Sequence, residues 1–218
     1  MTTLVTTLID SVKTTLQETT DDGVRWKNDE LISYLNDASR FLAENEPDAY
    51  AANVTFECVT GTKQTIPDNS TRLLDVVRNL DGKKWAVSVV DKNTLNSARP
   101  NWHAENPTNQ QELFYSDDRN PKQFYVYPPA TQGSLLETVL SLEPVRHLPK
   151  ESQDKISLLQ VNDRYVPALM NYILFRAFDK DSDTGGNYQR SQGYLQGAYN
   201  SLGIKMQNTA RISPNTQG

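Results

Sequence analysis

Apolar residues near the start of the chain recur at helical spacing. Leu4, Leu8, Val12 and Leu16 fall on one stripe, with mainly Thr, Ser and Asp residues opposite, which predicts an amphipathic helix. A second helix is predicted from Asn28 to the turn before Pro47. Asn28 is a favoured N-cap, and acidic residues in the next turn suit the positive end of the helix dipole.

The middle of the chain changes to the alternating pattern of β-strands. Asp81-Gly82 separates two β-branched runs, which is typical of a hairpin turn. Residues 95–111 are polar and predict a long loop. Short strands with regular turns favour a small antiparallel sandwich or barrel, and strands are predicted at 54–58, 72–78, 85–90, 112–116, 122–127 and 135–142.

Helical spacing returns after Pro149. Residues 165–180 are apolar on nearly every side, which predicts a helix at the centre of a bundle. Another helix follows, and Gly203 stands where a C-terminal capping glycine belongs. The order helices, strands, helices predicts an α+β fold. We expect residues 1–50 and 149–203 to form the two halves of one helical bundle, with residues 51–148 inserted as a β domain.

Residues 204–218 are polar and lack any periodicity. This composition is typical of a tail that does not fold alone. We expect an extended tail that is held by a neighbouring chain.

Composition narrows the class of function. The 218 residues carry a net charge of −5 and a single cysteine, Cys58, so neither a basic nucleic-acid footprint nor an internal disulfide is expected. A mean hydropathy of −0.64 is low for a monomeric enzyme of this size and favours assembly surfaces. The start of the chain lacks the pattern of a secretory signal. No run of apolar residues in the sequence is long enough to span a bilayer. We therefore expect a protein made in the cytoplasm, without membrane attachment.

Enzyme and cofactor motifs are weak. Asp179, Asp181 and Asp183 match the first ligands of a calcium-binding loop. The match then fails, because Thr184 stands in place of the loop glycine and Arg190 in place of the final glutamate. We therefore favour the interpretation that these carboxylates end one helix and cap the next. Asp117-Asp118 reads as turn chemistry, although a glycosidase pair is not excluded by sequence. Neither a metal, a cofactor nor a catalytic residue is predicted.

Two further features suggest contacts. Arg99, Asn101, Trp102 and His103 lie in the predicted loop. They are either exposed interface anchors, or Trp102 folds back onto the sheet. Gly193 and Gly197 are four residues apart on a helix and either allow close approach of another helix or subunit or are merely tolerated.

Six stretches, taken in order, resemble the head-to-tail adaptor family of tailed bacteriophages, to which the tail tubular A-type proteins are related. Residues 26–38 are similar to its W-x-x-x-E-L-x-x-x-L-N-x-A helix, 61–67 to its G-x-x-Q-x-L/I-P turn, and 73–79 to its L-x-D-V-x-R-N strand. Residues 100–103 and 124–129 recur in the expected order. Residues 168–181 are similar to its A-L-x-x-Y-x-L-x-R-A-x-x-K-D helix.

The resemblance implies a ring, typically of twelve copies, between the portal protein and the nozzle or tail tube of a virion. The helical part and the tail would dock on the portal, with Asn208, Arg211, Ile212 and Pro214 as tail contacts. The β domain, through its loop, would face the tail. DNA would pass through the lumen without sequence-specific binding. A glycan-degrading or glycan-binding tail protein, with Trp85, Tyr125 and Tyr127 as exposed aromatics, is the alternative.

Overall fold

The computed structural model describes residues 3–18, 25–117, 119–148, 158–183 and 185–204. The chain divides into two compact units. One comprises residues 1–42 and 146–218 and is helical; the other comprises residues 43–145 and contains the strands. The fold is therefore α+β, with N- and C-terminal helices flanking the strands in sequence.

The helical unit is built from four helices within the described residues. They are α1 (Val5–Leu16), α2 (Asn28–Asn45, whose last three residues belong to the β unit), α4 (Val166–Asp179) and α5 (Asn187–Ser201). All four lie where helices are predicted, and α4 matches the predicted helix 165–180 within one residue at each end. Gly203 has a φ of +72°, the left-handed conformation that glycine adopts easily after a helix.

α4 is the central helix of this unit and contacts α1, α2 and α5. Tyr172 of α4 stacks on Phe41 of α2, with ring centroids 4.6 Å apart. Phe178 of α4 stacks on Tyr194 of α5 at 5.5 Å. The indole N–H of Trp26 donates to the Ala177 carbonyl, at 3.1 Å. These contacts explain why α4 is apolar on nearly every side.

The β unit is a sandwich of two sheets and not a closed barrel. Its strands are β1 (Ala51–Glu57), β2 (Gly61–Thr65), β3 (Ser70–Asn79), β4 (Ser88–Val89), β5 (Leu113–Ser116), β6 (Gln123–Ala130) and β7 (Leu135–Leu142). The first sheet has the order β1-β7-β3 and the second β2-β6-β5-β4. Among these described strand pairs β4–β5 is parallel and the others are antiparallel.

Apolar side chains from both sheets form the core of the sandwich. Phe56 of β1 meets Phe124 of β6 edge to face, with centroids 5.2 Å apart, the geometry that aromatic pairs prefer. The other buried members are Cys58, Ile66, Leu73, Val76, Val87, Phe114, Val126, Ala130, Leu136 and Leu140.

Three predictions for the β unit are wrong in detail. Residues 61–67, interpreted as a turn, contain strand β2. The run 85–90 is not one strand, because Ala86 bridges Arg78 of β3 whereas 88–89 pair with β5. The predicted loop 95–111 overlaps helix α3 (Lys92–Ala98) and a 3₁₀ turn, Trp102–Ala104.

Candidate interaction surfaces

Residues 91–105 form a structured loop on the outer face of the second sheet. The Asp91 carboxylate accepts hydrogen bonds from the backbone N–H groups of Asn93 and Thr94, at 2.9 and 3.1 Å. This is the N-cap contact that starts a helix. Leu95 of α3 is buried beneath it. A polar sequence without a helical stripe therefore still forms about two turns of helix.

Trp102 faces inward and anchors this loop. Its side chain is only 1% exposed and lies edge-on to Tyr115, Tyr125 and Tyr127, with centroids 6.0–6.4 Å apart. Its indole N–H donates to Asn96 Oδ1 at 2.9 Å. Of the two alternatives open from the sequence, Trp102 folds back onto the sheet.

Arg99, Asn101 and His103, which flank Trp102, are exposed. The His103 ring stacks on Trp102 with centroids 3.7 Å apart, and its Nδ1 lies 2.8 Å from Thr62 Oγ1. The Arg99 guanidinium lies 5.5 Å from the centre of the Tyr127 ring. The loop therefore presents a cation, an amide and an imidazole on a fixed backbone.

Tyrosine hydroxyls beneath the loop remain protonated near neutral pH. Burial raises the pKa of Tyr115 to about 12, and it also raises the pKa of Tyr127. The Tyr127 hydroxyl donates to Glu105 Oε2 at 3.1 Å, which ties the end of the loop to β6.

The proposed aromatic platform for glycans is not formed by its three members. Tyr125 stacks on Tyr115 at 4.8 Å and borders Trp102, and Tyr127 is buried. Trp85 is half exposed, but it projects from the β3–β4 connection on another part of the unit. These rings do not lie side by side on one open face.

Carboxylates at the candidate catalytic and metal positions have local structural partners. Asp117 lines an open cleft of about 540 Å³, and its carboxylate accepts from the Arg119 N–H at 3.0 Å; Asp118 lies outside the described residues. Asp181 binds Asn187 Nδ2 at 3.3 Å and forms an ion pair with Arg25. Among the described residues no group of three or more His, Cys, Asp or Glu is placed to hold a metal ion.

The two helical glycines differ in their surroundings. A Cβ added to Gly197 would lie 3.2 Å from the amide nitrogen of Asn171 on α4, whereas one added to Gly193 would meet nothing within 4 Å. Gly197 therefore serves close packing of α5 on α4 inside this chain. Gly193 lies at the surface, beside an open pocket that Phe178 and Arg190 also line, and stays a proposed subunit contact.

The predicted portal contacts Asn208, Arg211, Ile212 and Pro214 lie outside the described residues. No described helix is long and apolar enough to cross a membrane.

Comparison with known proteins identifies the family. The search of curated proteins finds no match. Residues 3–218 match the family described as SU10 adaptor protein, so the match covers both units and agrees with the resemblance found in the sequence. The chain belongs to this family of bacteriophage head-to-tail adaptors.

Proposed function

We propose that this protein forms a ring of twelve copies that joins the portal to the tail nozzle or tube of a phage virion. The observation that carries the proposal is the family match over residues 3–218, since adaptors of this kind imply portal and tail partners. The role is structural, so the protein acts without turnover. It is assembled in the host cytoplasm and ends in the neck of the virion.

We assign the portal contact to the helical unit and the C-terminal tail. The tail combines cationic Arg211 with apolar Ile212 and Pro214, a composition that suits a segment that becomes ordered on a partner. Gly193, which has open space around it, would allow a neighbouring backbone to approach the helical unit closely.

We assign the tail contact to the loop of the β unit. Arg99, Asn101 and His103 are exposed, while Trp102 holds their backbone against the sheet. A loop that is ordered before binding loses less conformational entropy when it docks. The loop therefore supports a permanent contact with the nozzle or tube.

The charge of the chain is consistent with passage of DNA through the lumen. Each copy carries a net charge of −5, and binding to DNA phosphates depends on neutralisation by Lys and Arg. A ring with a net acidic balance lacks that attraction, so DNA would slide through it and would not be retained.

Deletion of residues 204–218 tests the portal contact. Particles carrying the full or the truncated chain are imaged, and the occupancy of the neck is compared. We expect the truncated subunit to fold, because the last described helix ends at Ser201, before the deletion, but to be lost from the portal. Normal docking of the truncated chain would show that the tail is not the anchor.

A polysaccharide assay tests the glycan alternative. The purified protein is incubated with host-surface polysaccharide, and the products are measured by chromatography. We expect neither cleavage nor retention of the polysaccharide. Cleavage that depends on Asp117 would contradict a purely structural role.

A further inference from the structure

The sandwich has two opposite sides where its sheets end. At one of them β3 and β4 meet; we call this the tryptophan side, made of Val77, Trp85 and Val89 with Lys83 and Lys84. At the other, β1 ends the first sheet and β2 the second; we call this the β1 side, made of β1 and the following residues through Val59.

Large apolar side chains are exposed on the tryptophan side. Trp85 is 50% exposed, Val89 74% and Val77 37%. The Lys83 ammonium lies 4.6 Å from the centre of the Trp85 ring. Trp is among the residue types that dominate binding energy at protein interfaces.

The backbone that presents Trp85 is held rigidly. Asn79, whose side chain is fully buried, donates from its backbone N–H and its Nδ2 to the Trp85 carbonyl, both at 2.9 Å. Its Nδ2 and Oδ1 also bind the backbone of Gln111, at 2.8 Å each. The backbone at Trp85 is therefore fixed by a buried amide network.

Each side has some open strand edge, which on the tryptophan side is short because the Val87 N–H donates to the Val77 carbonyl of β3. The N–H groups of Ser88 and Val90 donate to the carbonyls of Glu112 and Phe114 in or beside β5, so the N–H of the intervening Val89 points away from that strand. β1 pairs with β7 along one edge and is the last strand of its sheet. It contains neither lysine nor proline, the residues that usually protect an edge from pairing.

The two sides are complementary at the same level of the sandwich. Glu57 of β1 pairs with Leu135 of β7. On the other side of β7, the Leu80 N–H donates to the Leu135 carbonyl, and Leu80 is three residues before Lys83. Glu57 is exposed, and Val59 beside it is 50% exposed. An anion and an apolar residue on one side thus match the cations and the indole on the other.

We propose that the tryptophan side of one copy docks on the β1 side of the next copy around the ring. This inference rests on the ring proposed above. Lys83 and Lys84 would meet Glu57, and Trp85 would pack on Val59. Lys63 is an exposed cation of β2 and would repel Lys83 and Lys84. The contact is therefore confined to the end of β1. Because two different surfaces meet, the contact repeats from copy to copy, and contacts of this head-to-tail kind form a ring when the rotation between copies closes.

Mixing of two variants tests this geometry. In sedimentation velocity, Trp85→Ser and Glu57→Lys are each expected to weaken self-association by about tenfold or more. Each variant retains one intact side, so an equimolar mixture should form dimers and stop there. The matched control is Tyr188→Ser, which removes an aromatic residue that is 59% exposed in the helical unit and should associate as the unaltered chain does.

Cysteine crosslinking reads the same contact in the virion neck. Thr55→Cys and Ala86→Cys lie on opposite sides of one chain, too far apart for an internal disulfide, so oxidation should link neighbouring copies into a ladder. Cys58 is buried, with a pKa raised to about 12, and stays unreactive.

Either of two results overturns the proposal. One is that Trp85→Ser and Glu57→Lys associate normally; the other is that the cysteine pair forms no ladder in necks that contain the protein. Loss of binding to another virion protein, with self-association intact, would assign the tryptophan side to that partner and also overturn it. Absence of the chain from the neck would instead contradict the adaptor function itself.

Discussion

Replacement of Trp102 by alanine should destabilise the β unit by about 4 kcal/mol, since removal of a fully buried Trp side chain costs ~3–5 kcal/mol. Trp102 is 1% exposed, and the variant lacks its ring contacts with Tyr115, Tyr125 and Tyr127. It also loses the hydrogen bond to Asn96, worth ~1 kcal/mol. The same change should release residues 99–105 from the sheet.

Urea unfolding of the dilute protein measures this loss, with circular dichroism and fluorescence followed separately because the two units can unfold independently. Cleavage by endoproteinase Glu-C after Glu105, whose carboxylate accepts from the Tyr127 hydroxyl in the folded loop, reports release of the loop. Trp102→Phe, which keeps an aromatic ring, should lose ~1–2 kcal/mol. Trp85→Ala, at a half-exposed site, should change stability by less than ~0.5 kcal/mol.

A loss of less than about 1 kcal/mol for Trp102→Ala, well under the usual range for a buried Trp, together with equal rates of Glu-C cleavage of the two proteins, would refute this role of Trp102. The loop would then be held by its other contacts, and the exposed residues beside Trp102 would not depend on it for their position.

Three further changes test the packing of each unit. Gly193→Ala should stabilise the helical unit by ~1 kcal/mol because Ala favours helix, and Gly197→Ala should gain less because its Cβ meets Asn171 at 3.2 Å; thermal unfolding ranks them. Gln64→Ala should cost ~1–3 kcal/mol, since the fully buried Gln64 amide binds the backbone on either side of the β1–β2 turn. Cys58 should react with a thiol reagent only after unfolding, because burial raises its pKa from 9.0 to about 12. Since the folded state favours the neutral thiol, the free energy of unfolding should fall as the pH rises between those two values.

Each of these has a contradicting result. A larger gain for Gly197→Ala than for Gly193→Ala would mean that the contact with α4 is loose. An unchanged urea midpoint for Gln64→Ala would mean that the β1–β2 turn does not need its amide. Rapid labelling of folded protein at Cys58 near neutral pH would show that the sandwich core opens readily.

Helices and apolar strands of this chain are predictable because one periodicity dominates each of them. α1 begins within a residue or two of its apolar stripe, α2 begins at Asn28, and β7 spans Leu135–Leu142 as its alternation predicts. The Lys27 carbonyl, one residue before the predicted cap, accepts the first backbone hydrogen bond of α2, from Leu31. Local physics and tertiary packing agree at these elements.

β2 is missed because polar residues face inward there. Thr62 and Gln64 are buried while Lys63 and Thr65 are exposed, so the alternation exists without an apolar signal. The Gln64 amide is satisfied by backbone groups of the preceding turn, which no spacing rule identifies. Its buried state depends on the partner strand.

The loop around Trp102 marks a second limit of sequence reasoning. Asp91 is a residue type that favours the helix N-cap, so the start of α3 has a local signal although the helix lacks an apolar stripe. Burial of Trp102 depends on Tyr115 and Tyr127, which are distant in sequence, so the choice between anchor and interface was open. The tryptophan side was missed for the same reason, since it forms only when β3 and β4 meet.

Cryo-electron microscopy of the neck of virions that contain this protein tests the central claim most directly. The account predicts a closed ring of this chain between the portal and the tail, around an axial channel, with the β units of adjacent copies in contact. Location of the chain on a fibre or spike, or its absence from the particle, would contradict the account.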